Sequence, residues 1–225
     1  MSFLIYFILI LIIPIFAQMK VKSAYSKYSK VPASNGYTGA EVARKILDEN
    51  GLYNVKIEET HGVLSDHYDP TAKVVRLSSD IYHGHSLAGT AVAAHEVGHA
   101  IQDKEGYTFM RIRHKLVPVA NIGSNFSWIL IIAGMIFSIY NLALLGVLFM
   151  AAAVLFQFVT LPVEFNASSR AMKQVVALGV IDAGEERETK KVLDAAALTY
   201  VAAAAVALLE LLRFVLMLTG MNNED

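Results

Sequence analysis

Residues 117 to 161 read VPVANIGSNFSWILIIAGMIFSIYNLALLGVLFMAAAVLFQFVTL, with no acidic, basic or histidine side chain among them. A membrane-spanning helix needs about twenty predominantly apolar residues. The stretch holds two such helices, from about Val117 to Tyr140 and from about Leu142 to Leu161, with Tyr140-Asn141 as a minimal turn. It is therefore read as a transmembrane hairpin, around which the rest of the chain is organised.

Two further apolar runs lie towards the ends. Phe3 to Ala17 contains Pro14 and reaches spanning length only if it continues through Gln18 and Met19. No basic residue precedes it, whereas Lys20, Lys22, Lys27 and Lys30 follow it, so an uncleaved anchor is expected rather than a signal peptide. The last run, about Ala195 to Leu218, is Ala-rich and carries Glu210 and Arg213, read as an i, i+3 pair between helices near a membrane edge. The whole composition agrees: 55% hydrophobic and 17% charged is too apolar for an ordinary soluble domain. A net charge of −1 gives no reason to expect a nucleic-acid partner. With no cysteine, disulfides and thiolate metal sites are excluded, and a metal would draw its ligands from His, Asp and Glu.

Charge distribution sets the expected topology. Of the 19 Lys and Arg residues, 18 lie in the segments 18–116 and 162–194, and the remaining one is Arg213. With four spans these segments share one side, which the positive-inside rule places in the cytoplasm. The expected divisions are an anchor (1–19), a cytoplasmic region (20–116), the hairpin (117–161), a second cytoplasmic segment (162–194), a C-terminal span (195–219) and a tail (220–225).

Local signals fill in the cytoplasmic part. Ser23 to Tyr37 is polar and reads as linker. Thr38-x-x-Glu41 resembles a capping box opening a helix from Gly39 to about Glu49, which Asn50-Gly51 stops. Val55–Glu59 and Lys73–Leu77 predict strands of a small two- or three-stranded sheet, with Asp69-Pro70 opening a turn between them. A helix follows from about Ser86 to Asp103. Beyond the hairpin, Pro162 is expected to break the helix. A new one should cover Glu164 to Leu178, and another should start with Asp182 as N-cap and Glu185 three residues on.

The chemistry is concentrated in His95-Glu-Val-Gly-His99. Side chains four apart leave the same face of a helix, so His95 and His99 can grip one metal ion. Glu96 is offset by one position, where it can take a proton from a metal-activated water without itself being a ligand. The competing reading is a surface helix with two histidines. The neighbours Ala91, Ala93, Ala94, Gly98 and Ala100 argue for close packing instead, and buried imidazoles need a partner.

A catalytic zinc site usually has three protein ligands and one open position. Candidates for the third are Glu164, Glu105, His114 and the group His61, His67, His83 and His85. Glu105 stands where the extended metzincin pattern has its third histidine, but Gln102 occupies the glycine position of that pattern. Its simpler reading is a solvated helix-end charge. Glu164 is the stronger candidate: it is the one acidic residue between Glu105 and Asp182, and it follows directly on an apolar span. A carboxylate at a lipid boundary is costly without a partner, which here is either a metal or Arg170. His67, His83 and His85 are read as lining the cleft or supporting the ligands. Tyr82, His83, His85 and Arg170 are candidates for stabilising an oxyanion.

Four blocks together carry a family resemblance: Leu64-Ser-Asp-His-Tyr-Asp-Pro70, Val74-Val-Arg-Leu-Ser78, His95-Glu-Val-Gly-His99-Ala-x-Gln102, and Pro162-Val-Glu-Phe-x-Ala-Ser-x-Arg-Ala171. They resemble the YugP-like neutral zinc metallopeptidases, bacterial membrane proteins that look like distant relatives of the HtpX-like and CAAX-prenyl gluzincins. The resemblance implies a mainly α membrane protein with about four transmembrane helices and a small α+β, gluzincin-like region on the cytoplasmic side of the bacterial cell membrane. It implies zinc as cofactor, His95, His99 and Glu164 as ligands, Glu96 as general base, and polypeptide substrates, membrane-associated ones included. In the gluzincin relatives an Asp four residues after the ligand Glu orients a zinc histidine; here that position is Ser168. The strand Val74–Ser78 is expected to receive an extended substrate by edge pairing. Two rivals remain: an inactive zinc-stabilised membrane scaffold, with no open coordination position, and a metal transporter, which would want more polar residues within the spans.

Overall fold

The computed structural model describes residues 3–221. Met1 and Ser2, and the part of the expected tail from 222 onwards, lie outside the described residues. In chain order the elements begin with α1 (Phe3–Tyr28), which continues through Pro14 and takes the first residues of the expected linker into the helix. Helix α2 (Gly39–Glu49) opens on the capping box that the sequence signals: the Thr38 hydroxyl accepts the Glu41 N–H at 3.1 Å and the Glu41 carboxylate accepts the Thr38 N–H at 2.8 Å. Strands β1 (Lys56–Thr60), β2 (His67–Asp69) and β3 (Val74–Ser78) follow, then the short α3 (Ser79–Tyr82). Helix α4 (Leu87–Lys104) carries the paired histidines and is N-capped by Ser86, whose hydroxyl accepts the Gly89 N–H. The long helices α5 (Thr108–Ile136) and α6 (Tyr140–Ala177) come next. A turn opened by the Asp182–Glu185 capping box leads into α7 (Glu186–Met221).

One expectation fails in an instructive way. Pro162 does not end a helix; α6 runs through it for 38 residues. A proline removes one N–H and clashes with the preceding turn, yet Pro14 and Pro118 are likewise inside helices here. Apolar helices tolerate such prolines where neighbouring groups re-satisfy the backbone. The residues expected to start a new helix at Glu164 are thus a continuation of the span.

The chain is a mainly α membrane protein with a small α+β region, and it forms two compact units. The first comprises the chain up to Phe16, Thr108–Pro162, and the residues from Tyr200. Among the described residues, four helices are long and apolar enough to cross a membrane by length and composition. Within this first unit Ile131, Ala143, Val147, Met150, Val154, Phe214 and Leu218 form a buried cluster, and Trp128 meets Phe214 edge-on at 5.1 Å. A Cβ on Gly123 would stand 2.5 Å from the Phe149 carbonyl oxygen, so α5 and α6 approach to backbone contact. Small residues at such contacts are how helices associate in lipid, where no hydrophobic force drives them together. Leu4, Ile5, Leu11, Ile12 and Ile15 face outward from α1, as a lipid-solvated surface requires. The Arg213 guanidinium lies 4.5 Å from the Tyr6 ring centroid and 5.8 Å from that of Phe214, a cation–π partnership that the sequence did not suggest.

The second unit comprises Ala17–Tyr107 and Val163–Thr199. Its sheet has the order β1-β3-β2, with β1 parallel and β2 antiparallel to β3. Strand β3 is therefore central. Both of its edges are taken, and the expected edge pairing of substrate with Val74–Ser78 is corrected: the edge strands are β1 and β2. Val42, Ala43, Ile46 and Leu47 bury one face of α2, which packs on α4, while α4 also rests on β2 and β3. From the other side the Val163–Ala177 part of α6 meets α4 at Gly98.

Candidate metal centre

Helix α4 supplies His95 and His99 one turn apart, with ring centroids 4.8 Å apart and planes nearly perpendicular. Glu164 projects from α6 between them. Its Oε2 is 3.2 Å from His95 Nε2 and 3.5 Å from His99 Nε2. A tetrahedral ion bound at about 2.0–2.1 Å to each donor keeps its donors roughly 3.3 Å apart, close to the two separations from Glu164 to the histidines. Among the described residues His95, His99 and Glu164 form a three-donor group, all ligand atoms lying within 4.8 Å of one another. Three donors of this kind, one carboxylate and two imidazoles, suit zinc with a fourth position left over.

The electrostatics favour a cation at this point. Burial pushes the His99 imidazolium towards losing its proton, but the facing Glu164 carboxylate, and next the charge of Glu96, outweigh that and raise its pKa. Glu164 is 2% exposed. A buried carboxylate is tolerable only beside positive charge or several donors, and here the two imidazole nitrogens face it.

The outer nitrogens of the imidazoles are also spoken for. His95 Nδ1 is 3.1 Å from the Ser168 hydroxyl, one turn along α6 from Glu164. Ser168, four residues after Glu164, thus bonds the histidine through its hydroxyl. His99 Nδ1 is 3.0 Å from Gln102 Oε1. With Nδ1 engaged on each ring, both Nε2 atoms point at Glu164, the orientation that metal-binding histidines take from their outer partners. Sequence reasoning passed over Gln102 as a histidine partner, although its i+3 spacing from His99 places it on the same helical face.

Glu96 lies beside the group and is almost buried. Its Oε2 accepts the Tyr68 backbone N–H at 2.9 Å, so edge strand β2 reaches the carboxylate directly. The Tyr68 hydroxyl donates to Asp103 Oδ2 at 2.7 Å, on the same face of α4 two turns further on.

The remaining candidates lie elsewhere. Glu105 is bonded to Arg170 at 2.7 Å, and Arg170 Nε donates to Asn166 Oδ1, so the guanidinium is engaged by Glu105 and Asn166, while Glu164 faces the two histidines. His83 faces Glu59, His85 faces the Gly36 carbonyl, and His67 lies between the Ser65 carbonyl and Arg76. Ser168 and Gln102, rather than these histidines, bond the outer nitrogens of His95 and His99. Tyr82 packs edge-on against His83, and His114 belongs to α5 in the other unit.

Comparison with known proteins agrees with this chemistry. Residues 3–219 match the model of a family described as "Putative neutral zinc metallopeptidase". The chain is 54% identical over 209 residues to a Bacillus subtilis (strain 168) protein named "Putative membrane protease YugP", covering 93% of each chain. No solved structure matches the chain.

Proposed function

The chain belongs to the neutral zinc metallopeptidase family, and from that premise we propose that it is a membrane-embedded zinc metalloendopeptidase hydrolysing peptide bonds at the cytoplasmic membrane surface. The observation that carries the reading is the convergence of His95 Nε2, His99 Nε2 and Glu164 Oε2 beside Glu96. His95, His99 and Glu164 hold the metal, and a three-donor group leaves room for water and substrate. That favours a peptidase over a closed, purely structural site.

Bound zinc supplies Lewis acidity there, lowering the pKa of the attacking water and polarising the scissile carbonyl. Glu96 accepts the proton that the water loses as it adds to the carbonyl carbon. When the carbon–nitrogen bond breaks, Glu96 returns that proton to the leaving amine. The Tyr68 N–H holds Glu96 in place through a charge-assisted hydrogen bond. Strand β2, on the sheet edge beside Glu96, is the natural rail for an extended polypeptide.

Placement on the cytoplasmic side rests on the 18 Lys and Arg residues in 18–116 and 162–194. Glu164 follows Pro162 on the same continuous helix as a candidate span, which favours membrane-associated polypeptides as substrates. Glu96→Gln tests the chemistry: the purified variant should fold, keep its zinc and lose cleavage by several orders of magnitude, roughly 10² to 10⁴-fold for a general base. Full activity in a folded Glu96→Gln protein would reject the mechanism. Because the native chain has no cysteine, single cysteines at Lys45 and Asn141 test topology. Only the second should react with an impermeant reagent added outside intact cells.

A further inference from the structure

Around Gln102 runs a chain of hydrogen bonds that reaches from the surface to the metal centre, all within one compact unit. Gln102 is fully buried. Its Nε2 donates both hydrogens, to the Val163 carbonyl at 2.7 Å and to Asn166 Oδ1 at 2.9 Å. Two carbonyl-type oxygens on that side force the amide to present its NH₂ to them and its Oε1 to His99 Nδ1. A flipped amide would set oxygen against oxygen twice. Asn166 is held in the same manner, because its Oδ1 also accepts Arg170 Nε at 2.7 Å, and Arg170 is tied by its guanidinium to Glu105 at 2.7 Å.

The consequence falls on His99. Two acceptors face the ring, Gln102 Oε1 at 3.0 Å from Nδ1 and Glu164 Oε2 at 3.5 Å from Nε2, and the shorter, fixed contact favours the proton of the neutral ring on Nδ1, which leaves Nε2 with its lone pair towards Glu164. The geometry points to Gln102 as a positioning residue that sets the tautomer and angle of His99, with Asn166 and Arg170 setting Gln102 in turn. Helix α6 thus serves the metal centre from two faces. Glu164 and Ser168, four apart, meet the histidine ring nitrogens, while Asn166 and Arg170, also four apart, hold the amide behind His99. The assignment to metal binding rests on the reading of His99 as a ligand. The tautomer itself does not.

The test uses the full-length chain in detergent, labelled with ¹⁵N-histidine, metal-free and above the histidine titration range, with His99 resonances identified by substitution. Wild type and Asn166→Asp, whose carboxylate still accepts both donors, should carry the His99 proton on Nδ1. Gln102→Met and Asn166→Leu should shift it towards Nε2. In chelator competition these two variants should bind zinc roughly tenfold or more weakly, and Asn166→Asp within about twofold of wild type. Thermal melting checks folding, and if Gln102→Met does not fold, the Leu and Asp variants at 166 decide alone. A wild-type His99 protonated on Nε2, or folded Gln102→Met and Asn166→Leu chains with unaltered tautomer and zinc affinity, would overturn the assignment. A wild type with the proton on Nδ1 and no affinity for zinc would support the hydrogen-bond chain while refuting the metallopeptidase reading, so the two failures are distinguishable.

Discussion

Gly98 rests directly on the backbone of Ala167: a Cβ at Gly98 would stand 2.6 Å from the Ala167 carbonyl oxygen and 3.2 Å from its Cα. Gly98 lies between the two histidines on α4, and Ala167 is three residues after Glu164 on α6. The missing side chain therefore sets the distance at which the carboxylate meets the imidazoles. Gly98→Ala would gain helix propensity, about 1 kcal/mol, but must push two helix backbones apart. Overpacking a tight contact costs about 1–3 kcal/mol, and the displaced Glu164 should loosen zinc by roughly tenfold or more. Thermal melting and chelator competition on the same sample check this. A variant that melts higher and holds zinc as wild type does would show that the contact is not limiting.

Removing the Glu164 carboxylate is a more direct probe. In Glu164→Gln the shape is kept while the charge facing His95 and His99 is lost. Zinc retained through purification should fall clearly below that of wild type, and cleavage should fall with it. Glu105→Gln, by contrast, removes the charge of a partly exposed pair while keeping an acceptor for Arg170, and should change zinc content far less. The reverse pattern would move the third ligand from Glu164 to Glu105.

Much of this centre was legible before the fold, because metal chemistry restricts residue types. Two histidines four apart announce a helical pair, and an isolated carboxylate after an apolar span asks for a partner, though His95 and Glu164 lie 69 positions apart. Gln102 and Ser168 were harder to find, since amides and hydroxyls are common and only their partners distinguish them. Strand β2 has three residues, too few for an alternating pattern, so from sequence alone β3 reads as an edge. The uninterrupted course of α6 through Pro162 was hidden for a related reason. Proline is judged by local rules, and tertiary packing overrode them.

Helix α2, which backs α4, should show a pH signature. The Thr38 N–H and then the Thr38 hydroxyl bond the Glu41 carboxylate and lower its pKa from the ordinary 4.5. The folded chain thus binds this proton less readily than the unfolded chain. The contribution of the charged capping box is complete above the ordinary carboxylate range and is lost as pH falls through the lowered folded value. Glu41→Gln keeps an acceptor but no charge. Its melting temperature should lie below wild type at neutral pH, and the gap should close in acid. A gap that widens on acidification would contradict the assignment.

Tyr68 is gripped by α4 at both ends, its N–H by Glu96 and its hydroxyl by Asp103. Burial, and then the Asp103 hydrogen bond, raise the pKa of the phenol, so it stays a donor throughout the physiological range. Asp103 also binds Lys73, at the end of the turn into β3, which ties the sheet to the end of the helix. Tyr68→Phe should leave zinc binding untouched, because the phenol bonds Asp103, which is outside the three-donor group. It should cost about 1.5–3 kcal/mol of stability, as expected for a hydrogen bond to a charged acceptor. Loosening β2 should also lower kcat more than it changes KM, since the Tyr68 N–H bonds Glu96, the general base of the proposed mechanism. Melting curves, zinc stoichiometry and steady-state kinetics separate these effects. A Tyr68→Phe protein that lost its zinc would show that β2 supports the metal ligands themselves, and the division of labour between strand and helix described above would have to be redrawn.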